Sequence, residues 1–471
     1  MKKLLLALIM LSTLLSAFAG EKQDYSNAFT IIEVWLEAKK DFDKLPGISA
    51  MILDDQEVVW EGATGYSNPD EKVTAKANTL YSICSISKLF TSVAIMKLYD
   101  EGKLRLDDTI DELLPWYDLK QIYPESGPIT VRSIMTHSAG LPRESAYPYW
   151  TAPEFNFPCR EEVKGKLSDQ ETLYPASTYF QYSNLGLSLL GEVVAEVSGL
   201  SFDEYIVKEI FKPLKMKDTR TVLPQKKHGK QLAVGYAMLD RKGYRQKLEI
   251  FQAKGIKSAA GFSSNVKDLA KFAAWQFRLR DSKESEILKP ATLKNMHNVH
   301  WMDPDFDLTW GLGFYVYQHS GNKWAGHNGS CPGYKTTLQL DLENKMAYSV
   351  MVNCNGSSPY SLAHGINDLM NEAKGQENED DLDLSEYVGF FSEQPWYGET
   401  YIGEWYGDLV CFDLPSDNPV DDMTYMKYIE KDTFRRIRDN GELGEVITFV
   451  RNEEGDIVSY KWFQNYSKKI R

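Results

Sequence analysis

"YSICSISKLF", residues 81–90, carries three serines and one lysine, and the reading of this stretch decides the fold. A helix that begins near Ser85 places Ser85 and Lys88 on one face, because residues three apart are neighbours on a helix surface. Ser87 then points elsewhere. Leu89, Phe90, Val93, Met96 and Leu98 recur near the helical period, and Gly102 suits the end, so the pattern predicts a helix from Ser87 to Leu104. A serine at a helix N-terminus gains from the local positive field when an oxyanion forms beside it. A lysine serves as its base only if burial or a nearby cation lowers its pKa. The four letters alone are cheap, since Ser264-Asn265-Val266-Lys267 repeats them.

Upstream, "ISAMILDDQEVVW" (48–60) reads as two strands joined at Asp54-Asp55. Downstream, "SNLGLSLLGEVVAEVSG" (183–199) reads as a second apolar helix closed by Gly199. "SFDE" (201–204) is a capping box that starts another helix. "SSNVKDLAKFAAWQF" (263–277) is amphipathic. Past residue 308 the period becomes two: Leu338, Leu340 and Leu342 alternate with polar partners, and "MAYSVMVN" follows a turn at 343–345. "LAHGINDLMNEA" closes this part as a helix. Strands, many helices, then strands again indicate an α+β fold with an antiparallel sheet, assigned to residues 20–375. The charged run "QENEDDLD" (376–383) reads as an acidic linker. Residues 384–471 are rich in Tyr, Trp, Phe and Val between turn clusters, and are expected to form a small all-β domain.

The bulk properties exclude several classes. With 471 residues, 43% hydrophobic and 25% charged, the chain can bury a large core. A formal charge of −14 argues against nucleic acid and against simple adhesion to anionic lipid. Residues 1–19 have Lys2 and Lys3, an apolar run and Ala17-Phe18-Ala19, the layout of a secretory signal peptide. The expected mature protein is exported, periplasmic or extracellular, with no stable membrane insertion after signal removal. Five cysteines, Cys84, Cys159, Cys331, Cys354 and Cys411, fit no zinc signature; most read as small buried residues, with a Cys331–Cys354 bridge as one alternative and Cys84 as an oxidation-sensitive position as another. No metal and no cofactor is implied. His297 and His300 lie three apart without a third ligand.

Two further motifs need their context. Tyr-x-Asn occurs at Tyr25–Asn27, Tyr66–Asn68 and Tyr182–Asn184, and His-x-Gly at His319–Gly321 and His327–Gly329. His319–Gly321 lies between strand-like runs and reads as a hairpin turn. Tyr182–Asn184 precedes the second apolar helix, and His327–Gly329 lies where the strands resume. The ordered set Ser85–Lys88, Tyr182–Asn184, His327–Gly329 resembles the serine β-lactamase and penicillin-binding-protein superfamily, in particular its class C β-lactamase-like hydrolases. The resemblance spans about residues 45–372 and takes in "ITVRSIMTHSAGLP" (129–142), "AAGFSSNVKDLAKF" (259–272), "WGLGF" (310–314) and "GHNGSCPGY" (326–334).

That resemblance implies an antiparallel sheet flanked by helices, plus a helical region, with the site between them. It implies Ser85 as acylated nucleophile and Lys88 and Tyr182 as the general base and acid, with the first proton acceptor left open between them. It implies Asn184 as a group orienting substrate and the Lys88 amine, His327, Asn328 and Gly329 along the strand side of the pocket, and the backbone N–H groups of Ser85 and Ser330 as the oxyanion hole. The second Ser-x-x-Lys falls at an ordinary helix start, and His137 reads as a structural hydrogen-bonder. The C-terminal region resembles lipocalin-like eight-stranded barrels. Class C β-lactamases carry Lys-Thr-Gly where this chain has His327-Asn328-Gly329, so a fixed cation is replaced by a group that is often neutral. The histidine form resembles D-aminopeptidase and esterase relatives. The expected activity is hydrolysis of an ester or amide, on a small-molecule or peptide substrate that includes cell-wall fragments. The alternatives are a non-hydrolytic peptidoglycan- or β-lactam-binding sensor and a weak class C β-lactamase. Oligomeric state is not legible.

Overall fold

The computed structural model describes residues 23–377, 382–392 and 398–471. The expected signal peptide, 1–19, and residues 378–381 of the expected linker lie outside them. The chain divides into two units: residues 39–364, and the described residues up to Ala38 together with those from Gly365 onward.

The first unit is built on a nine-stranded sheet whose paired strands all run antiparallel. Its strands are β1 (Gly47–Asp54), β2 (Glu57–Asn68), β3 (Val73–Thr74), β4 (Trp301–Met302), β5 (Thr309–Trp310), β6 (Tyr315–His319), β7 (Asn322–Cys331), β8 (Tyr334–Asp341) and β9 (Met346–Val352). Their spatial order is β3-β2-β1-β9-β8-β7-β6-β5-β4. The hairpin expected at 48–60 is β1–β2. Ser320 and Gly321, both at positive φ, turn the chain between β6 and β7, as the hairpin reading of His319–Gly321 requires.

The alternation read at 338–342 is present in β8, but it does not separate core from solvent. Thr337, Gln339 and Asp341 are buried along with Leu338 and Leu340. Helices explain this. The Val266–Asp281 helix packs on β1 and β9, and on the other face His364 packs against Trp324 and Tyr317. A sheet covered on both faces buries its polar positions too, and these are hydrogen-bonded: Gln339 Nε2 donates to Thr337 Oγ1 at 2.7 Å.

Helix α1 (Ser87–Asp100) forms the centre of the helical region, packed against α2 (Asn184–Ser198). It ends four residues before Leu104 because Gly102 takes φ 69°, and Lys103 N–H closes back on Leu98 O at 3.0 Å. Ser183 caps α2 by accepting from Gly186 N–H, and Gly199 ends it at φ 70°. The Ser201–Glu204 capping box is present. The second Ser-x-x-Lys is structural: Ser264 pairs as a short strand with Tyr81, and Lys267 makes a surface ion pair with Glu61 at 2.6 Å.

In the other unit, eight antiparallel strands close a barrel between Gly389 and Lys469. Phe391, Ile402, Leu409, Met426, Phe434, Ile447, Phe449 and Tyr460 fill its core. The Ser26–Phe42 helix, not anticipated from the pattern, contributes Trp35, whose Nε1 donates to Ser416 O at 3.0 Å. All five cysteines are free thiols. No single helix among the described residues is long and apolar enough to cross a membrane.

Candidate active site

The turn that carries Ser85 precedes α1. Cys84 adopts φ 51°, an uncommon conformation for a side-chain-bearing residue, and this sharp turn presents Ser85 half-exposed at the start of the helix. Two anchors hold the turn. Ser87 Oγ donates to Cys84 O at 2.6 Å and accepts from Phe262 N–H at 3.0 Å. Ile83 N–H donates to Phe262 O at 2.9 Å.

Lys88 lies one turn on, 1% exposed. Its Nζ is 3.1 Å from Ser85 Oγ, 2.7 Å from Asn184 Oδ1 and 2.8 Å from Ala259 O. Burial lowers its pKa to about 7, against the opposing field of Glu144. Two of the three partners only accept. A neutral amine therefore donates its two N–H bonds to Asn184 and Ala259 and turns its lone pair toward the Ser85 hydroxyl.

Tyr182 is the third member. Its hydroxyl is hydrogen-bonded to Ser85, and burial pushes the phenol pKa well up, so it is a proton-bearing group at neutral pH. His137, at φ 56°, fixes its position: the ring centroid lies 4.2 Å from that of Tyr182 with the planes tilted by 34°, and Nδ1 accepts from Ser183 N–H at 3.1 Å. Burial holds the imidazole pKa of His137 well below its usual value, which keeps that nitrogen an acceptor. His137 is thus placed as the structural hydrogen-bonder it was expected to be.

The strand side comes from β7. Its register with β6 stops at Gly326, so from His327 onward it is paired only with β8, and the other edge is unpaired among the described residues. Gly329 is what lets this edge approach the Ser85 turn: a Cβ there would lie 2.4 Å from Ile83 O and 2.2 Å from Thr336 Oγ1. His327 Nδ1 donates to Asn328 O at 2.7 Å. Burial and then the Lys88 charge lower the His327 pKa to about 3, so the ring is neutral across the physiological range. His327 Nε2 and Trp310 Nε1, an acceptor and a donor, have no partner among the described residues, and their rings meet edge-on at 5.7 Å. Asn328 differs from expectation: its Oδ1 accepts from Thr337 at 2.6 Å and from Gln339 at 3.0 Å, so this oxygen is engaged within the sheet rather than offered to the pocket. Successive strand residues face opposite ways, and His327 and Asn328 are adjacent. Ser330 is exposed, one residue beyond Gly329.

Two residues were missed. Glu144 Oε1 accepts from Asn184 Nδ2 at 2.8 Å, and its other oxygen accepts from Tyr149 OH. A carboxylate only accepts, so Glu144 sets the Asn184 amide with Oδ1 toward Lys88. Arg143 lies 5.0 Å over the Tyr182 ring, 60% exposed, with Nε 3.3 Å from Glu144. Both follow directly on the "THSAGLP" turn, and their only sequence signal was that adjacency. Among the described residues no group of three or more His, Cys, Asp or Glu side chains gathers as a metal site.

The Beta-lactamase family profile matches residues 36–369. Protein flp of Staphylococcus aureus (strain MW2) is 29% identical over 194 residues, which cover 41% of this chain and 38% of that protein. Penicillin-binding protein 4* of Bacillus subtilis (strain 168) is 25% identical over 331 residues, covering 65% of this chain and 68% of the relative. Among solved structures, the octameric penicillin-binding protein homologue from Pyrococcus abyssi superposes with a TM-score of 0.65 at 25% identity, covering 93% of this chain and 99% of that one.

Proposed function

The chain belongs to the beta-lactamase family, and from that premise we propose that it hydrolyses an ester or amide through an acyl-enzyme on Ser85. The observation that carries this reading is the Lys88 amine, 3.1 Å from Ser85 Oγ, its pKa near 7 and its remaining partners only acceptors. Lys88 takes the hydroxyl proton as Ser85 Oγ attacks the carbonyl carbon. The resulting oxyanion is held by the backbone N–H groups of Ser85 and Ser330. Tyr182, kept as a phenol, gives its proton to the leaving oxygen or nitrogen and recovers one from the Lys88 ammonium, which lies 4.8 Å from its ring. Water then attacks the acyl carbon with the roles reversed, and Ser85 is released.

His327 is neutral, so it offers no cation to a substrate carboxylate. Arg143 does, from the mouth of the site: its Nε pairs with Glu144, and neither Nη donates a hydrogen bond among the described residues. The reading therefore favours a substrate that carries a carboxylate close to the scissile bond, as a peptide or cell-wall fragment does. The layout of residues 1–19 supports export to the periplasm or beyond the cell.

The test is a panel of chromogenic esters, D-amino-acid anilides and a chromogenic cephalosporin, run on wild type and Ser85→Ala, with fluorophosphonate labelling in parallel. Turnover and labelling at Ser85, both lost in Ser85→Ala, are expected. Labelling with an adduct that persists for hours and no turnover would replace the enzyme reading by a binding protein. No labelling at Ser85 would remove both.

A further inference from the structure

Cys84 and Cys331 stand immediately outside the two residues whose backbone N–H groups flank the pocket: Cys84 precedes Ser85 and Cys331 follows Ser330. They are separated by most of the first unit in sequence yet meet in space. Cys84 Sγ lies 4.0 Å from the carbonyl of Tyr334, and Tyr334 is the residue paired with Cys331 across β7 and β8. Cys84 Sγ lies 3.6 Å from Ser82 Oγ, and the Cys331 thiol is perturbed by both Cys84 and Ser82, as neighbours are. Cys84 is 0% and Cys331 4% exposed. The Cys84–Ile86 turn packs against β7, with Gly329 close against Ile83 O, which is the kind of backbone approach a disulfide requires. The other thiols stand elsewhere: Cys159 is exposed, Cys354 lies beyond β9, and Cys411 is in the barrel.

We propose that Cys84 and Cys331 are a disulfide cross-link site that staples the nucleophile turn to the β7 edge. The oxidant is a disulfide reagent, either glutathione disulfide or the disulfide of an oxidoreductase. One cysteine thiolate attacks it and forms a mixed disulfide, expelling one thiol. The second cysteine thiolate then displaces the remaining half. Both protons and two electrons pass to the reagent, which leaves as two thiols. Because both sulfurs are buried, the exchange takes place while the turn is still opening and closing during folding. Burial then shields the finished bridge from reductant. The bridge fastens the turn that holds the uncommon Cys84 backbone, so its effect falls on the geometry between Ser85 and Ser330.

The test refolds the full chain in a glutathione redox buffer or in dithiothreitol, then alkylates under denaturing conditions and maps peptides without reduction. The expected result in the redox buffer is a cross-linked pair of peptides holding Cys84 and Cys331, with free thiols falling from five to three. The bridged protein melts several degrees higher than the reduced protein, and Cys331→Ser, which cannot bridge, melts at the same temperature in both buffers. Five free thiols after oxidative refolding would overturn the proposal, as would Cys331 joined to Cys354. Mapping needs no turnover, so a chain that hydrolyses nothing leaves this outcome readable.

Discussion

Lys88→Met separates the two consequences of a buried amine. In the folded chain the Lys88 pKa falls from 10.5 to about 7, a shift caused first by burial. Unfolded, the side chain titrates near its ordinary value. Between those two pH values the unfolded state holds one proton more than the folded state, so stability rises with pH through that window. Each pH unit is worth about 1.4 kcal/mol, and the full interval about 5 kcal/mol. Below pH 7 both states are protonated and the deficit stays at its largest; above 10.5 it is gone. Methionine carries no such deficit, although it leaves Asn184 Oδ1 and Ala259 O without their donor, about 1–3 kcal/mol each. The absolute stabilities at pH 7 therefore nearly cancel, and the slope is what discriminates. Urea denaturation followed by tryptophan fluorescence, on both proteins at pH 7 and pH 9.5, is expected to show wild type gaining about 3 kcal/mol on Lys88→Met. Ester turnover by wild type is expected to rise about tenfold per pH unit below pH 7 and then level off. A stability difference that is flat with pH, together with an activity limb near 10, would mean that Lys88 is charged throughout and is not the base.

Three other substitutions probe the remaining parts. Tyr182→Phe is expected to lower kcat by about 100- to 1,000-fold with KM within about twofold, because only proton delivery is lost; steady-state kinetics on an anilide checks it. Gly329→Ala forces a methyl to within 2.4 Å of Ile83 O, and is expected to destabilise the fold by about 1–3 kcal/mol and to cut ester turnover more than about tenfold, read by thermal melting and kinetics. Arg143→Ala is expected to lower kcat/KM by about 10- to 100-fold on a substrate with a free carboxylate and to leave its methyl ester nearly unchanged, since one charge-assisted hydrogen bond is at stake; equal losses on the pair would remove Arg143 as the carboxylate contact.

What could be read from the sequence follows from how far each signal travels along the chain. Ser85 and Lys88 were legible because their relation is local: one helical turn brings them together whatever the rest of the chain does. Tyr182 and His327 were legible through order, since the start of α2 and the β7 edge recur in fixed sequence after α1. The strand β8 was legible from its period of two, but a period reports alternation only, and the helices on both sides decide whether the alternate residues see water. Trp35 was passed over because its partner, Ser416, lies in the C-terminal barrel, and no local pattern points there. Glu144 and Arg143 lie in a loop, where no period marks a functional position. Within the site itself the division is sharper. Side chains announce themselves by letter, but the Ala259 carbonyl that accepts a hydrogen bond from Lys88 does not. Neither does the absent Cβ at Gly329, without which β7 could not reach the nucleophile turn. A motif records the groups that carry protons; the backbone that aims them becomes visible only when the sheet and α1 are set side by side.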